Sequence, residues 1–406
     1  MNPDELMPHA GPLVGGIVAV LLLLAQFPAA RRRKQLAAMP LCKTKGVFAG
    51  LVQLEGTMRT DHPLVSFLAE IPCVSYGWDI SEHWQRTVTE TYRDSNGNTQ
   101  TRTRTESGWS SVASGEQRMR FEIEDETGRL WVDPEGASID GQDVFNETVG
   151  RGDWLYYGKG PAGGVANSTG RRRFTEWALP NDSFTYVGGT CRSTEAAPGI
   201  EIGLGTRDKF YVIDTDGHAD VVKGLKGREV WLWIGALVAI AVGGWVGLQQ
   251  ELPQPLVIRD IAVAVGVFLV FWLFGWLVNI RNAAKELENR VEQAWSLVDV
   301  QLKRRYDLIP PLVSVAKGSG KHEARVQSLV ADLRAGNATI VAEKYPDLQS
   351  APVYRKLMHE LTDTEDRLAL ARGFHTEALS LFRTHMEKFP DGFIARLMGI
   401  RSSLLE

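Results

Sequence analysis

Three apolar runs constrain this chain more than any other feature. Residues 11–30 (GPLVGGIVAVLLLLAQFPAA) carry no charge, residues 229–248 carry one acid at their edge, and residues 261–280 (IAVAVGVFLVFWLFGWLVNI) carry none. Each is near the ~20 residues that a helix needs to cross a hydrocarbon layer ~30 Å thick. The sequence therefore predicts three membrane spans. The first run is expected to be a retained anchor: Asp4 and Glu5 precede it and Arg31–Lys34 follow it, the reverse of a secretory signal's charge order.

Basic residues gather on one side of these runs. Arg31–Lys34 follow the first, Lys223–Arg228 precede the second, and Arg281, Lys285 and Arg290 follow the third, whereas residues 249–260 hold one Arg and two acids. Positive charge stays on the cytoplasmic side, so the expectation is a multi-pass protein of a bacterial inner membrane. Its N-terminus would lie outside, and residues 31–228 and 281–406 in the cytoplasm. A net charge of -4 gives no support to a nucleic-acid partner. Three widely spaced cysteines, Cys42, Cys73 and Cys191, fit reduced thiols better than a disulfide framework.

The segment after the first run is rich in Gly, Thr, aromatic and β-branched residues. RTVTETYR and TQTRTRTE flank Asn96-Gly97, a strong hairpin signal. Neither face of that hairpin is apolar, so it should project into solvent. The run MRFEIEDETGRLWVDP alternates around a turn at Glu126–Gly128, and DWLYYGKG and KFYVIDT read as short strands. The expected fold is a small antiparallel barrel or sandwich-like module. The stretches LVQLEGTMRTDHPLVSFLAEIPCVSY, FEIEDETGRLWVDPEGASID, RGDWLYYGKG and FYVIDTDGHADVVKGL resemble the GIDE domain of Mulan-type membrane ubiquitin ligases over residues 45–227. The resemblance implies a ligase label. The RING that carries transfer in those proteins needs paired Cys/His ligands for two zincs, and no cysteine follows Cys191 in this chain.

Beyond the third run the apolar positions Leu287, Val291, Ala294, Val298, Leu302, Ile309, Leu312 and Ala316 recur at helical spacing. Pro310 and Pro311 sit in that stripe, and a kink or break near Ile309 is expected. Further helices should carry Val326–Leu333, Val353–Phe389 and Phe393–Ile400, giving an up-and-down bundle. NRVEQAWSLVDVQLKRRYDLIPPLV, DRLALARGFHTEALSLF and FPDGFIARLMG are similar to the LemA family over residues 281–402, in which the position of Pro311 is usually Asn and that of His375 aromatic. That resemblance implies a span followed by a cytoplasmic helical bundle and carries no activity with it.

The expected class is thus an α+β membrane protein: spans at 11–30, 229–248 and 261–280, a β-rich domain at 45–227, and a helical bundle at 281–406. No residue is assigned to catalysis, to a cofactor or to a metal, and no cofactor is expected. Cys73, between apolar neighbours, reads as a buried small residue. Glu122, Glu124, Asp125 and Glu126 read as a solvated turn cluster, and the glycines of PAGG lack a phosphate cradle's Lys. Arg305, Glu365 and Arg372 read as ion-pair partners between bundle helices. The expected function is a non-enzymatic membrane-tethered scaffold with an unidentified protein partner and self-association in view. Ubiquitin-ligase-type transfer and transport are the alternatives, the second opposed by the lack of ionisable residues within the runs.

Overall fold

The computed structural model describes residues 10–37, 39–93, 99–193, 200–206, 210–249, 254–318, 328–333 and 352–400. The chain divides into a β-rich unit, Lys43–His218, and a helical unit formed by the chain on either side of it.

The β unit holds a closed barrel and an open sheet. In the barrel, β1 (Gly50–Arg59) pairs with β5 (Phe121–Asp125), β5 with β6 (Gly128–Val132), β6 with β11 (Ile200–Gly203), β11 with β10 (Phe184–Ser193), and β10 returns to β1. Strict alternation produces this: Phe121 and Ile123 lie opposite Val132 and Leu130, and all four point inward, as do Leu54 and Ile202. Tyr186, opposite Glu55 and so on the outward face of β10, is fully buried and donates its hydroxyl to Gln53 Oε1 at 2.9 Å. A short extension, β12 (Val212–Asp214) and β7 (Ser138–Asp140), pairs onto β10. The barrel is not wholly antiparallel, since β6–β11 and β7–β12 run parallel.

The second sheet is built on β3 (Pro72–Arg93), flanked on one side by β2 (Leu64–Val65) and β4 (Thr99–Arg118), and on the other by β9 (Ser168–Pro180) and β8 (Gln142–Gly150). β9 accompanies β3 only as far as the Trp84–Ser168 pair, whereas β4 stays paired with it out to Arg93–Thr99. The outer part is a two-stranded ribbon whose side chains are almost all exposed, as an all-polar Thr/Arg/Glu sequence requires. Its Asn96-Gly97 turn lies outside the described residues. DWLYYGKG differs from expectation. Asp153 caps Leu155 N at 2.8 Å and residues Trp154–Gly158 form a helical turn, with adjacent Leu155 and Tyr156 buried and Trp154 and Tyr157 exposed. Two consecutive buried residues suit a turn of helix and not an alternating strand.

In the helical unit, α1 (Ala10–Ala37), α2 (His218–Leu248) and α3 (Gln254–Gly318) contain the three stretches long and apolar enough to cross a membrane. Small residues let them approach. A Cβ on Gly15 would stand 2.6 Å from the Ala239 carbonyl oxygen, and one on Gly243 would stand 2.7 Å from that of Gly11. Gly-x-x-x-Gly on α1 thus meets Gly243 on α2, the packing that replaces the hydrophobic effect in lipid. Ala19, Leu23, Ala236 and Phe268 form the centre of the three-helix contact.

α3 continues from the span into the bundle without interruption, and the break expected near Ile309 does not occur. Pro310 and Pro311 lie on the exposed face, so the Tyr306 and Asp307 carbonyls that lose their partners also face solvent. Ile309 and Leu312, on the opposite face, hold the helix against Leu329, Leu333, Tyr354, Met358 and Leu361. α4 (Pro352–Glu387) runs antiparallel to α3. Its start packs near Ile309, its middle (Leu368, Ala371) on Val298, and its end (Phe382, Met386) on the Ile280–Ala294 stretch. α5 (Asp391–Leu397) closes the bundle through Ala395.

Candidate functional site

The reactive side chains singled out in the sequence are buried or hydrogen-bonded within the fold. Cys73 is fully buried, and burial followed by the nearby Glu176 pushes its thiol up to about 11. Cys191, buried in the barrel wall, is pushed up to about 12 by the same two kinds of cause, burial and then Glu201. Neither is a thiolate nucleophile at neutral pH. Asp125 departs from the expected solvated cluster. Its carboxylate accepts from Thr44 N at 2.8 Å, Thr44 Oγ1 at 2.7 Å and Thr127 N at 2.7 Å, tying the chain before β1 to the β5–β6 turn. Burial would raise its carboxyl, but these hydrogen bonds outweigh burial and hold it below the usual range. Glu124 is engaged by Arg59 and Arg129, and Glu126 by Lys43. Among the described residues no cluster of His, Cys, Asp and Glu fits a metal ion.

In the bundle, Arg305 meets Glu365 across α3 and α4 at 3.4 Å and donates to the Leu333 carbonyl at 2.8 Å. Arg372 is exposed instead of completing the group. Trp295 is 60 % exposed and lies 5.3 Å from the His375 ring, ring centre to ring centre.

The sequence reading missed the largest buried polar network, on the inner face of the second sheet. Glu82 and Arg172 are at most 1 % exposed and lie opposite each other on β3 and β9. Arg172 donates from Nε and Nη2 to Glu82 Oε2 at 3.2 and 3.1 Å, from Nη1 to the Tyr156 and Pro161 carbonyls, and from Nη2 to that of Gly163. Tyr156 and Ser168 hydroxyls donate to Glu82 Oε1. Burial acts to raise the Glu82 carboxyl, yet Ser168, Tyr156 and Arg172 together hold it low. The PAGG stretch therefore holds a guanidinium through its Pro161 and Gly163 carbonyls, while Gly164 lies against the Glu82 carboxylate. Two alternate-face charged residues at strand register, Glu82 and Arg172, were the available signal. A second inward carboxylate, Glu176, accepts from the Phe67, Leu68 and Ala69 amides and shapes the loop before β3.

The outer face of the same sheet is open. A groove of about 430 Å³ crosses all four principal strands, with Trp177 as its floor and Asp79, Glu116 and Asp143 among its walls. Trp177 lies flat on Gly77, where a Cβ would come within 2.6–2.7 Å of the indole; only glycine at that position leaves the ring in place. Asp79 accepts from Ser81 Oγ at 2.5 Å and from Ser111, and Glu116 from Arg118. Asp143, on the edge strand, is exposed. An indole bordered by carboxylates has the chemistry to hold a cation, and of these acids Glu116 is already paired with Arg118.

These features define an α+β membrane protein with a barrel-bearing unit and a helical bundle. The GIDE model, described as an E3 ubiquitin ligase, matches residues 89–247, and the LemA family model matches residues 294–339 and 334–404. The chain carries both domains in one polypeptide. Two curated relatives are similar over 66 residues: magnetosome protein MamQ 2 of Paramagnetospirillum magneticum at 32 % identity and MamQ of Magnetospirillum gryphiswaldense at 30 %. The matched stretch is 16 % of this chain and 24 % of each relative, so the chain spans about a quarter of their length. No solved structure matches.

Proposed function

We propose that this chain is a non-enzymatic scaffold tethered by three spans in a bacterial inner membrane, displaying its β domain and its helical bundle to the cytoplasm. The observation that carries the reading is the outward face of the second sheet. There the acid-walled indole groove, which crosses β4, β3, β9 and β8, shares β3 and β4 with the exposed ribbon. Together they offer a partner protein a pocket for a Lys or Arg side chain and an extended polar arm beside it. The basic clusters flanking the spans support the orientation.

Photo-cross-linkers at Thr89 and Ser114, in the full-length protein in its own membranes, test this. The account expects one adduct from both positions, lost in Trp177→Ala. Adducts that differ between the positions, or survive that change, contradict it. The GIDE domain keeps ubiquitin-ligase-type transfer as a second reading, in which a zinc-bearing RING would have to be supplied from outside these 406 residues.

A further inference from the structure

The helical unit contains a basic cavity at the end of the spans where Arg33 and Arg281 lie. Lys34 of α1, His385 of α4, Lys388 just after α4 and Asp391 at the start of α5 line about 210 Å³ above Ala283 and Leu287 of α3. Arg33, also on its wall, is paired with Glu229 of α2 at 2.9 Å. No carboxylate among the described residues lies within ion-pair distance of Lys34 or Lys388; Asp391 is the one acid among the wall residues, and Glu229, which also acts on Lys34, is already paired with Arg33. His385 Nε2 is enclosed and has no hydrogen-bond partner among the described residues. Burial lowers the pKa of Lys34 against the opposing pull of Asp391 and Glu229, and burial lowers that of His385 against Asp391. The cavity is thus short of negative charge and of acceptors.

Its depth matters as much as its charge. Ala283 and Leu287 follow Ile280, the last residue of the apolar run, by three and seven positions. At ~1.5 Å of rise per residue they stand roughly 5–10 Å beyond the hydrocarbon edge, which is the headgroup layer. At the α4–α5 corner beside it, Phe389, Phe393 and Leu397 recur at intervals of four and are 87, 65 and 79 % exposed. Ala395 and Ile400, on the other side of that corner, pack into the cluster that contains Ile280 and Ala284. An outward apolar stripe at this level has the bilayer interface for its solvent.

We propose that this corner binds an anionic phospholipid, the phosphate seated between Lys34, His385 and Lys388 and the upper acyl chains against Phe389, Phe393 and Leu397. A zwitterionic lipid brings its own cation into a cavity that already has too many, so the site selects net negative headgroups. The inference rests on the three-span reading and not on what the β domain recruits.

The test is native mass spectrometry of the full-length protein, extracted from membranes and titrated with phosphatidylglycerol or phosphatidylcholine. The wild type is expected to keep phosphatidylglycerol preferentially. Lys34→Gln/Lys388→Gln should weaken its retention roughly 30-fold, each basic group near a lipid surface carrying about a factor of five, with phosphatidylcholine unchanged. Lys34→Arg/Lys388→Arg, which keeps the charge, should retain the lipid and so separates lost binding from lost folding. Phe389→Ser/Phe393→Ser should weaken both lipids. Equal phosphatidylglycerol retention by the wild type and the Gln variant overturns the site. Displacement of the lipid by millimolar inorganic phosphate overturns the lipid in favour of a soluble anion. Release of the protein from membranes by alkaline carbonate overturns the spans and the site together.

Discussion

Replacing Arg172 by Lys tests the buried network of the β unit. The guanidinium makes five donor contacts, two to Glu82 and one to each of three carbonyl oxygens. An ammonium has three donors issuing from one point. The five contacts fall on four acceptor atoms, so at least one acceptor loses its partner at a site where neither charged side chain exceeds 1 % exposure. Each unsatisfied buried acceptor costs about 1–3 kcal/mol and breaking a buried pair costs about 3–5 kcal/mol, so the loss is about 1–5 kcal/mol. A middle value of ~3 kcal/mol multiplies the open population by roughly 150. Hydrogen exchange read by mass spectrometry, on the full-length protein in its membrane, should show that acceleration in peptides covering residues 159–173. Peptides from β1, β5 and β6 share none of these contacts and should keep the wild-type rate. Wild-type exchange at 159–173 in the Lys variant would refute the claim that the guanidinium straps this loop.

Four further outcomes are expected. Gly243→Leu puts a side chain into the Gly11 and Gly15 backbone of α1; overpacking of about 1–3 kcal/mol should abolish disulfide trapping between cysteines placed on α1 and α2. Pro311→Ala restores a donor to the Asp307 carbonyl and should raise bundle stability by about 1–3 kcal/mol, read by exchange in residues 300–318, whereas a loss of stability would mean that the proline is structurally required. Raised thiol values mean that Cys73 stabilises the fold fully below an unfolded value near ~8.5 and loses that contribution as pH climbs toward about 11; alkylation of Cys73 at pH 8 should therefore wait for unfolding. Asp125 has the opposite sign: its depressed carboxyl stabilises above an unfolded value near ~3.9 and the contribution is lost as pH falls further. Asp125→Asn should flatten the acid side of the stability profile of the β5–β6 turn.

The spans and the bundle stripe were legible because both are periodic or continuous over many residues. Leu287, Val291, Ala294, Val298, Ile309 and Leu312 are all buried, as their spacing predicts. The double proline misled because proline's cost depends on which face of the helix holds the freed carbonyl, and a linear sequence shows that only once burial is known. The Trp154–Gly158 turn was missed because five residues carry little periodicity and the deciding contact is one Asp153 cap. The Glu82–Arg172 pair is set by register between strands 90 residues apart in sequence, which no local pattern fixes. The groove has the same origin: Trp177, Asp79 and Asp143 converge only through pairing of β3, β8 and β9.

The most direct test of the scaffold account is quantitative in-membrane cross-linking of the full-length protein beside a version lacking the ribbon tip, residues 86–106. The account predicts one defined protein partner, recovered with the wild type and lost with the deletion, while the spans and bundle stay assembled. Recovery of that partner at the same yield from both proteins would contradict it.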